Sequence, residues 1–392
     1  MRIAIIVPEF PPNIIGGGGI VYEALSRRLK AKHTIRIFTL TDHGKSPFTS
    51  RFTDDCYPEL EVTRYPSLPL LRKGSFLDTV LPPNPRAGWQ LWQDLQTWFP
   101  DVAHLHGIGY TFVDLAAMFL RHLGVPYLLT DHGLPASYAE HSLPVRTGYH
   151  AYSNLILKRT VSKAGLVTAV SSEEAELCSR MYHVKTLAIP NGVNPLPLDD
   201  GVEPGSPMKL PPTPYLAAAG RVAHNKGFDV LLNALVSNSD LPPCYVAGEW
   251  RASQYGRALH ERANGRLRFL GQVSRGALRS LFSNAAVVVV PSRSEPFGLV
   301  GFEALDAHTR VVATKTGGLF EFSDPQAPLM LVTPGDHLEL ADAISLSLAK
   351  GSVSELEHSA CNRTLQRLNW DDIAMRYDDR LAELASRNGL TN

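Results

Sequence analysis

Short runs of β-branched and other apolar residues recur along the chain, separated by stretches in which apolar positions return every three or four residues. The first half carries RIAIIV, TIRIFTL, EVTRYP, VAHLH, PYLLTDH, LVTAVS and TLAIPN, and the second carries PYLAAAG, CYVAG, LRFLG, AVVVVP, VVATKT and LMLVTP. Between them lie GIVYEALSRRL, TFVDLAAMFLRHL, GFDVLLNAL and GALRSLFSNA, whose spacing predicts helices. Strands that are apolar throughout, each followed by a helix, predict parallel sheets covered on both faces. Two such series predict an α/β protein with two doubly wound, Rossmann-like domains, over residues 1–193 and 215–369. The intervening segment, 194–214, holds seven prolines and three acidic residues without apolar periodicity, and predicts a hinge. A last helix, WDDIAMRYDDRLAEL, follows the second series.

Composition narrows the function. At 392 residues the chain is too long for one ordinary core. Lys plus Arg and Asp plus Glu number 38 each, so no overall basic excess points to nucleic acid. No apolar run is long enough to span a bilayer. The first strand begins at residue 2 without a signal-peptide pattern, so a cytoplasmic location is expected. Cys56, Cys178, Cys244 and Cys361 show no paired spacing and read as reduced thiols. Residues 87–99, with Trp89, Trp92 and Phe99, and residues 154–163, with Lys158, Arg159 and Lys163, raise a peripheral contact at the inner membrane face. Core packing and a solvated face are the competing readings.

Ligands of open α/β sheets bind beyond the carboxyl ends of the strands, so candidate chemistry is sought there. After the first strand come four glycines, 16 to 19, opening a helix. Gly16, Gly17 and Gly18 would let backbone N–H groups approach an anion, whereas a mobile surface loop is the alternative. Tyr22 stands where a dinucleotide fingerprint needs its third glycine. His106 and His132 close neighbouring strands, a ligand site or satisfied core residues, while His104 lies earlier and reads as structural. Zinc competes at that pair, without a further ligand at fixed spacing. In the second half, Arg221 ends a strand and Lys226 precedes a helix; together they could hold a diphosphate, and alone they would be surface cations. The segment PSRSEPFGLVGFEAL, 291–305, leaves a strand through a tight loop and opens a helix near Phe297 or Gly298. There the N–H groups of residues 297 to 300 are available, and Glu295 and Glu303 lie eight residues apart. No D-x-D occurs, so no metal or other cofactor is expected.

These motifs, in this order, resemble the retaining nucleotide-sugar glycosyltransferases of the GT-B fold, glycosyltransferase family 4. PPNIIGGGG, DVAHLHG, LLTDHG, VTAVSS, IPNGVN, AAGRVAHNKG, LRFLGQVS, EPFGLVGFE and TKTGGLFEF carry the likeness through almost the whole chain. It implies two Rossmann-like domains facing a central cleft, with helix 370–392 completing the N-terminal one. It implies that Arg221 and Lys226 bind the donor diphosphate, Glu303 the ribose, and Glu295 the donor sugar. The backbone of Phe297, Gly298, Leu299 and Val300 would hold sugar hydroxyls and phosphate, Val273 the base, one of Gly16 to Gly18 the phosphate, and His132 the sugar. The family usually shows two glycines where this chain has four. The expected partners are a nucleotide-sugar donor, UDP-hexose first and GDP-mannose second, and a sugar, lipid-linked or small-molecule acceptor. The competing functions are a nucleotide-sugar epimerase, a glycan phosphorylase, or a silent nucleotide-sugar sensor.

Overall fold

The computed structural model describes residues 1–12, 17–40, 51–54, 57–66, 85–133, 151–197 and 214–387. Two compact units account for the chain: Met1–Asn191 with Trp370–Asn392, and Gly192–Asn369.

The first unit runs β1 (Arg2–Ile6), α1 (Gly18–Lys30), β2 (Thr34–Leu40), β3 (Phe52–Thr53), β4 (Glu61–Tyr65), α2 (Pro85–Trp98), β5 (Val102–His106), α3 (Thr111–His122) and β6 (Tyr127–Asp131). A π turn, Ser153–Leu157, then leads into α4 (Lys158–Ser162), β7 (Leu166–Ala169), α5 (Ser172–Tyr182) and β8 (Thr186–Ala188). The sheet order is β3-β4-β2-β1-β5-β6-β7-β8. All pairs are parallel except the edge pair β3–β4. The two-residue β3 has too short an apolar run to be foreseen.

The second unit runs β9 (Leu216–Ala219), α6 (Phe228–Ser237), β10 (Cys244–Ala247), α7 (Gln254–Arg262), β11 (Leu267–Gly271), α8 (Arg275–Ser283) and β12 (Val287–Val290). It continues through α9 (Leu299–Asp306), β13 (Val311–Thr314), α10 (Gly317–Phe322), β14 (Leu329–Val332), α11 (His337–Ala349) and α12 (Glu355–Arg367). Its wholly parallel sheet has the order β11-β10-β9-β12-β13-β14. Val287, Val288 and Val289 of β12 are buried because helices cover both faces, which is why the run reads VVVV and not as an alternation.

The last helix, α13 (Trp370–Arg387), belongs to the first unit. Arg28 of α1 donates to Asp371 at 2.6 Å, His33 meets Asp378 at 2.6 Å, and the Tyr377 ring lies 5.0 Å from His104. The start of the expected hinge is fixed: Val193 N–H donates to Leu368 O at 2.9 Å and Leu196 N–H to Asp306 at 2.9 Å. Residues 198–213 lie outside the described residues, as does Cys56. Cys178, Cys244 and Cys361 are buried free thiols. Trp92 packs edge-on against Phe119 and His122, whereas Trp89 is exposed, so the two tryptophans do not form one surface stripe. Among the described residues no helix is long and apolar enough to cross a membrane.

Candidate functional site

In the second unit the strand order turns at β9, which lies between β10 and β12. Ligands of open α/β sheets bind at such a switch point, beyond the carboxyl ends of the strands. The loop after β9 carries Arg221 and the 3-10 turn His224–Lys226; the loop after β12 carries Ser292 to Gly298. Gly227, at φ 65°, lets the two touch, since a Cβ there would overlap the Pro291 carbonyl. Arg293 N–H donates to Asn225 O at 2.8 Å, and its guanidinium grips the Asp229 carboxylate with both arms, at 2.7 and 2.6 Å. The Tyr255 hydroxyl donates to Asp229 at 2.6 Å. Burial pushes the Asp229 carboxyl up, but the bonds from Arg293 and Tyr255 outweigh it and hold the group at about 2.

Inside this staple, Lys226 Nζ donates to Glu295 Oε2 at 2.6 Å, and Ser292 Oγ donates to the same oxygen at 3.3 Å. Arg221 stands exposed on the same loop as Lys226 and makes no ion pair among the described residues. The β12 loop is braced from behind. Thr314 Oγ1 donates to Ser292 O at 2.5 Å, Gly318 N–H donates to Pro296 O at 3.2 Å, and a Cβ on Gly317 would overlap the Glu295 carbonyl. Phe297 is buried, its ring packed against Phe302 and Phe322. Helix α9 starts at Leu299, a residue or two later than expected, because Gly298 takes a left-handed φ of 92°. No side chain caps it and its first turn holds no acid, so the N–H groups of Leu299 and Val300 have no partner within the helix; both residues are half-buried.

One turn into α9, Glu303 is buried and its Oε1 accepts from Arg275 Nη1 at 3.0 Å. Burial raises its pKa, with Arg275 opposing and Asp306 adding to the rise. Arg275 opens α8 directly behind Ser274, whose hydroxyl caps that helix by accepting from Ala277 N–H at 3.1 Å. The ion pair therefore ties the half-buried Val273 loop to the glutamate.

The first unit has its own switch point at β1, between β2 and β5. Gly16 lies outside the described residues; Gly17 is the residue before α1, which opens at Gly18. A Cβ on Gly18 would lie 2.8 Å from the Tyr22 hydroxyl oxygen. The Tyr22 ring rests against His106 at 4.8 Å and His132 at 5.2 Å. His106 Nδ1 lies 2.9 Å from His132 Nε2. His106 is only 1 % exposed and is not itself open to a ligand, whereas His132 is half-buried. His104 is wholly buried, with Nε2 2.7 Å from Thr130 Oγ1. Among the described residues no three His, Cys, Asp or Glu side chains gather as metal ligands.

Residues 15–195 match the family described as Glycosyltransferase Family 4, and residues 207–364 match Glycosyl transferases group 1. The chain carries the two domains of a GT-B glycosyltransferase. A glycogen synthase of Mycobacterium tuberculosis is 26% identical over 399 residues, covering 95% of this chain and 92% of that one. Sucrose-phosphate synthase from Thermosynechococcus elongatus shares the fold with a TM-score of 0.75 at 22% identity, covering 98% of this chain and 99% of that one. HepE of Anabaena, solved in complex with UDP-glucose, does so with a TM-score of 0.72 at 18% identity, covering 98% of this chain and 100% of that one.

Several residues around these side chains are not among the sequence-predicted ones. Asp229 and Arg293 clamp the loops after β9 and β12, Arg275 holds Glu303, and Gly317 admits the Glu295 loop. A signal existed for the clamp: an acid in the first turn of α6 and a cation in the loop of the adjacent strand. Tyr22, a misfit to the dinucleotide motif, is the wall against which both histidines pack.

The buried histidines carry a prediction. Burial lowers the pKa of His104 to about 3, of His106 well below its ordinary value, and of His132 to about 3. A base with a depressed folded pKa gives stability that is complete above its unfolded value, near 6.5, and is lost as pH falls. Asp131 and Asp114 act oppositely, because burial raises both carboxyls, Asp114 to about 6. Three histidines against two carboxyls leave a net uptake of protons on unfolding in mildly acid solution, so stability falls as the pH is lowered there. Thermal melts between pH 7.5 and 5 should show the first unit weakening on the acid side. A flat profile would contradict the buried neutral cluster.

Proposed function

We propose that the protein transfers a hexosyl group from a nucleotide sugar to an acceptor hydroxyl, with retention of anomeric configuration and without a metal ion. A UDP-hexose is the first candidate donor and GDP-mannose the second. One observation carries the reading: the clamped loops at the β9/β12 switch point hold Lys226 against Glu295, on the loop that also presents Arg221, beside the uncapped start of α9. Cations, amides and a carboxylate at one crevice suit a diphosphate joined to a polyhydroxyl group. The UDP-glucose bound by HepE favours UDP over GDP.

In this reading Arg221 and Lys226 bind the diphosphate and offset the charge that builds as the bond from sugar C1 to phosphate oxygen breaks. The N–H groups of Leu299 and Val300 take sugar hydroxyls or phosphate oxygens. Glu295 orients the sugar, and its bond to Lys226 makes the two a unit that reports on both sugar and phosphate. Glu303 binds the ribose hydroxyls, with Val273 at the base and His132 donating to the sugar. The acceptor oxygen bonds to C1 on the face the phosphate leaves, and its proton passes to the departing phosphate oxygen.

Nucleotide release from a panel of UDP and GDP sugars, with and without acceptors, tests the function. An epimerase would yield an altered nucleotide sugar without acceptor, a phosphorylase would require phosphate, and a sensor would release nothing. The anomeric configuration of the product, read by NMR, tests retention. Activity should persist in excess chelator, since Arg221 and Lys226 supply the charge a divalent ion would bring. Loss in chelator and recovery with magnesium or manganese would overturn that part.

A further inference from the structure

The register of β5 on β6 pairs His106 with Thr130, which sets the His106 ring beside His132 just past the end of β6. The 2.9 Å between His106 Nδ1 and His132 Nε2 needs one proton in the bond and one lone pair facing it. Two neutral imidazoles can satisfy this in two ways. Either His106 donates from Nδ1 and His132 carries its own proton on Nδ1, or His132 donates from Nε2 and His106 carries its own proton on Nε2. The far nitrogen of His106 separates them. It is buried and has no hydrogen-bond partner among the described residues. The second arrangement would orphan an N–H inside the protein, whereas the first leaves only a bare lone pair, the less costly and more often tolerated defect.

We infer that His106 is a positioning residue that locks His132 as the Nδ1–H tautomer, so that His132 meets the donor sugar as a hydrogen-bond donor and not as a base. This rests on the reading of His132 as a contact to the donor. Burial lowers the pKa of both rings, which keeps them neutral at pH 7. Tyr22, packed against both, fixes the ring planes. With Nε2 engaged and Nδ1 already protonated, His132 has no lone pair for the acceptor proton. It can only hold a sugar hydroxyl in place by donating to its oxygen, and the acceptor proton goes to the departing phosphate.

The test is a two-bond proton–nitrogen correlation on protein labelled with nitrogen-15 histidine, with His132 assigned by the signals lost in His132→Gln. The expected wild-type pattern for His132 is Nδ1–H; an Nε2–H pattern overturns the inference without any change at His106. His106→Leu should move His132 toward the Nε2–H form. It should also lower kcat by up to about a hundredfold, the loss that a misplaced group near reacting atoms brings, with little change in donor KM. On a His132→Gln background it should cost nothing more. His106→Asn, whose amide nitrogen falls near the place of Nδ1, should restore the pattern and most of the turnover. An unchanged tautomer in His106→Leu sinks the proposal; should that variant fail to fold, the wild-type spectrum and His106→Asn still decide. If the tautomer is as expected but His132→Gln transfers sugar normally, the donor-contact reading fails instead.

Discussion

Glu295→Ala should lower turnover by about a hundredfold or more while leaving the donor KM within a few-fold, the signature of a preorganised group that acts on developing charge. The structure sharpens why. One carboxylate oxygen holds both Lys226 and Ser292, so in the proposed reading alanine would remove the sugar contact and leave Lys226 less well oriented as charge builds on the leaving group. Glu295→Gln keeps an acceptor for both partners but loses the charge, and should fall between wild type and alanine. Glu303→Ala should behave differently. A ribose contact is much the same in ground and transition states, so its loss should raise donor KM by about tenfold or more and spare kcat. Because burial raises the Glu303 pKa, donor KM should also climb, as pH falls, at a higher pH than an ordinary glutamate would give. Steady-state kinetics with the true donor, alongside a melt, checks all of this. A Glu295→Ala variant altered only in KM would remove it from the sugar.

The contrast between the two glutamates shows what was legible in the sequence. Continuous apolar strands such as AVVVVP and CYVAG announced parallel sheets, because only a strand buried on both faces can spend every position on Val, Ala or Cys. Once the strands were placed, everything of interest lay at their carboxyl ends, and Lys226 and Glu295 were both found that way. Their partnership was not visible, because they are 69 residues apart and meet only because β9 and β12 are neighbours. Arg275 and Glu303, 28 residues apart, meet because α8 packs on α9. The helix start was misplaced by a residue or two because Gly298 has to be left-handed, a backbone choice that glycine permits but does not announce. The histidines were legible as a pair at neighbouring strand ends, but not as a layered arrangement in which one ring hides behind the other.

The largest effect on stability is expected from a residue that touches no ligand. Gly317→Ala should lower the melting temperature of the second unit by about 6 to 12 °C, corresponding to about 3 kcal/mol, and cut turnover by about a hundredfold. Two costs add. Gly317 sits at φ 58°, where an L residue loses about 1–2 kcal/mol, and its Cβ would overlap the Glu295 carbonyl. The overlap cannot be relieved by a flexible side chain, because the obstacle is the backbone of the loop that carries Glu295, itself held by Gly318 N–H on Pro296 O. Gly335→Ala separates the two costs. Gly335 is also left-handed, at φ 87°, but nothing lies within 4 Å of a Cβ built there. It should lose about 1 kcal/mol, lower the melt by about 2 to 4 °C, and keep its kinetics. If the two variants melt alike and both remain active, strain alone accounts for Gly317, and the close approach of α10 to the Glu295 loop does not hold that carboxylate in place.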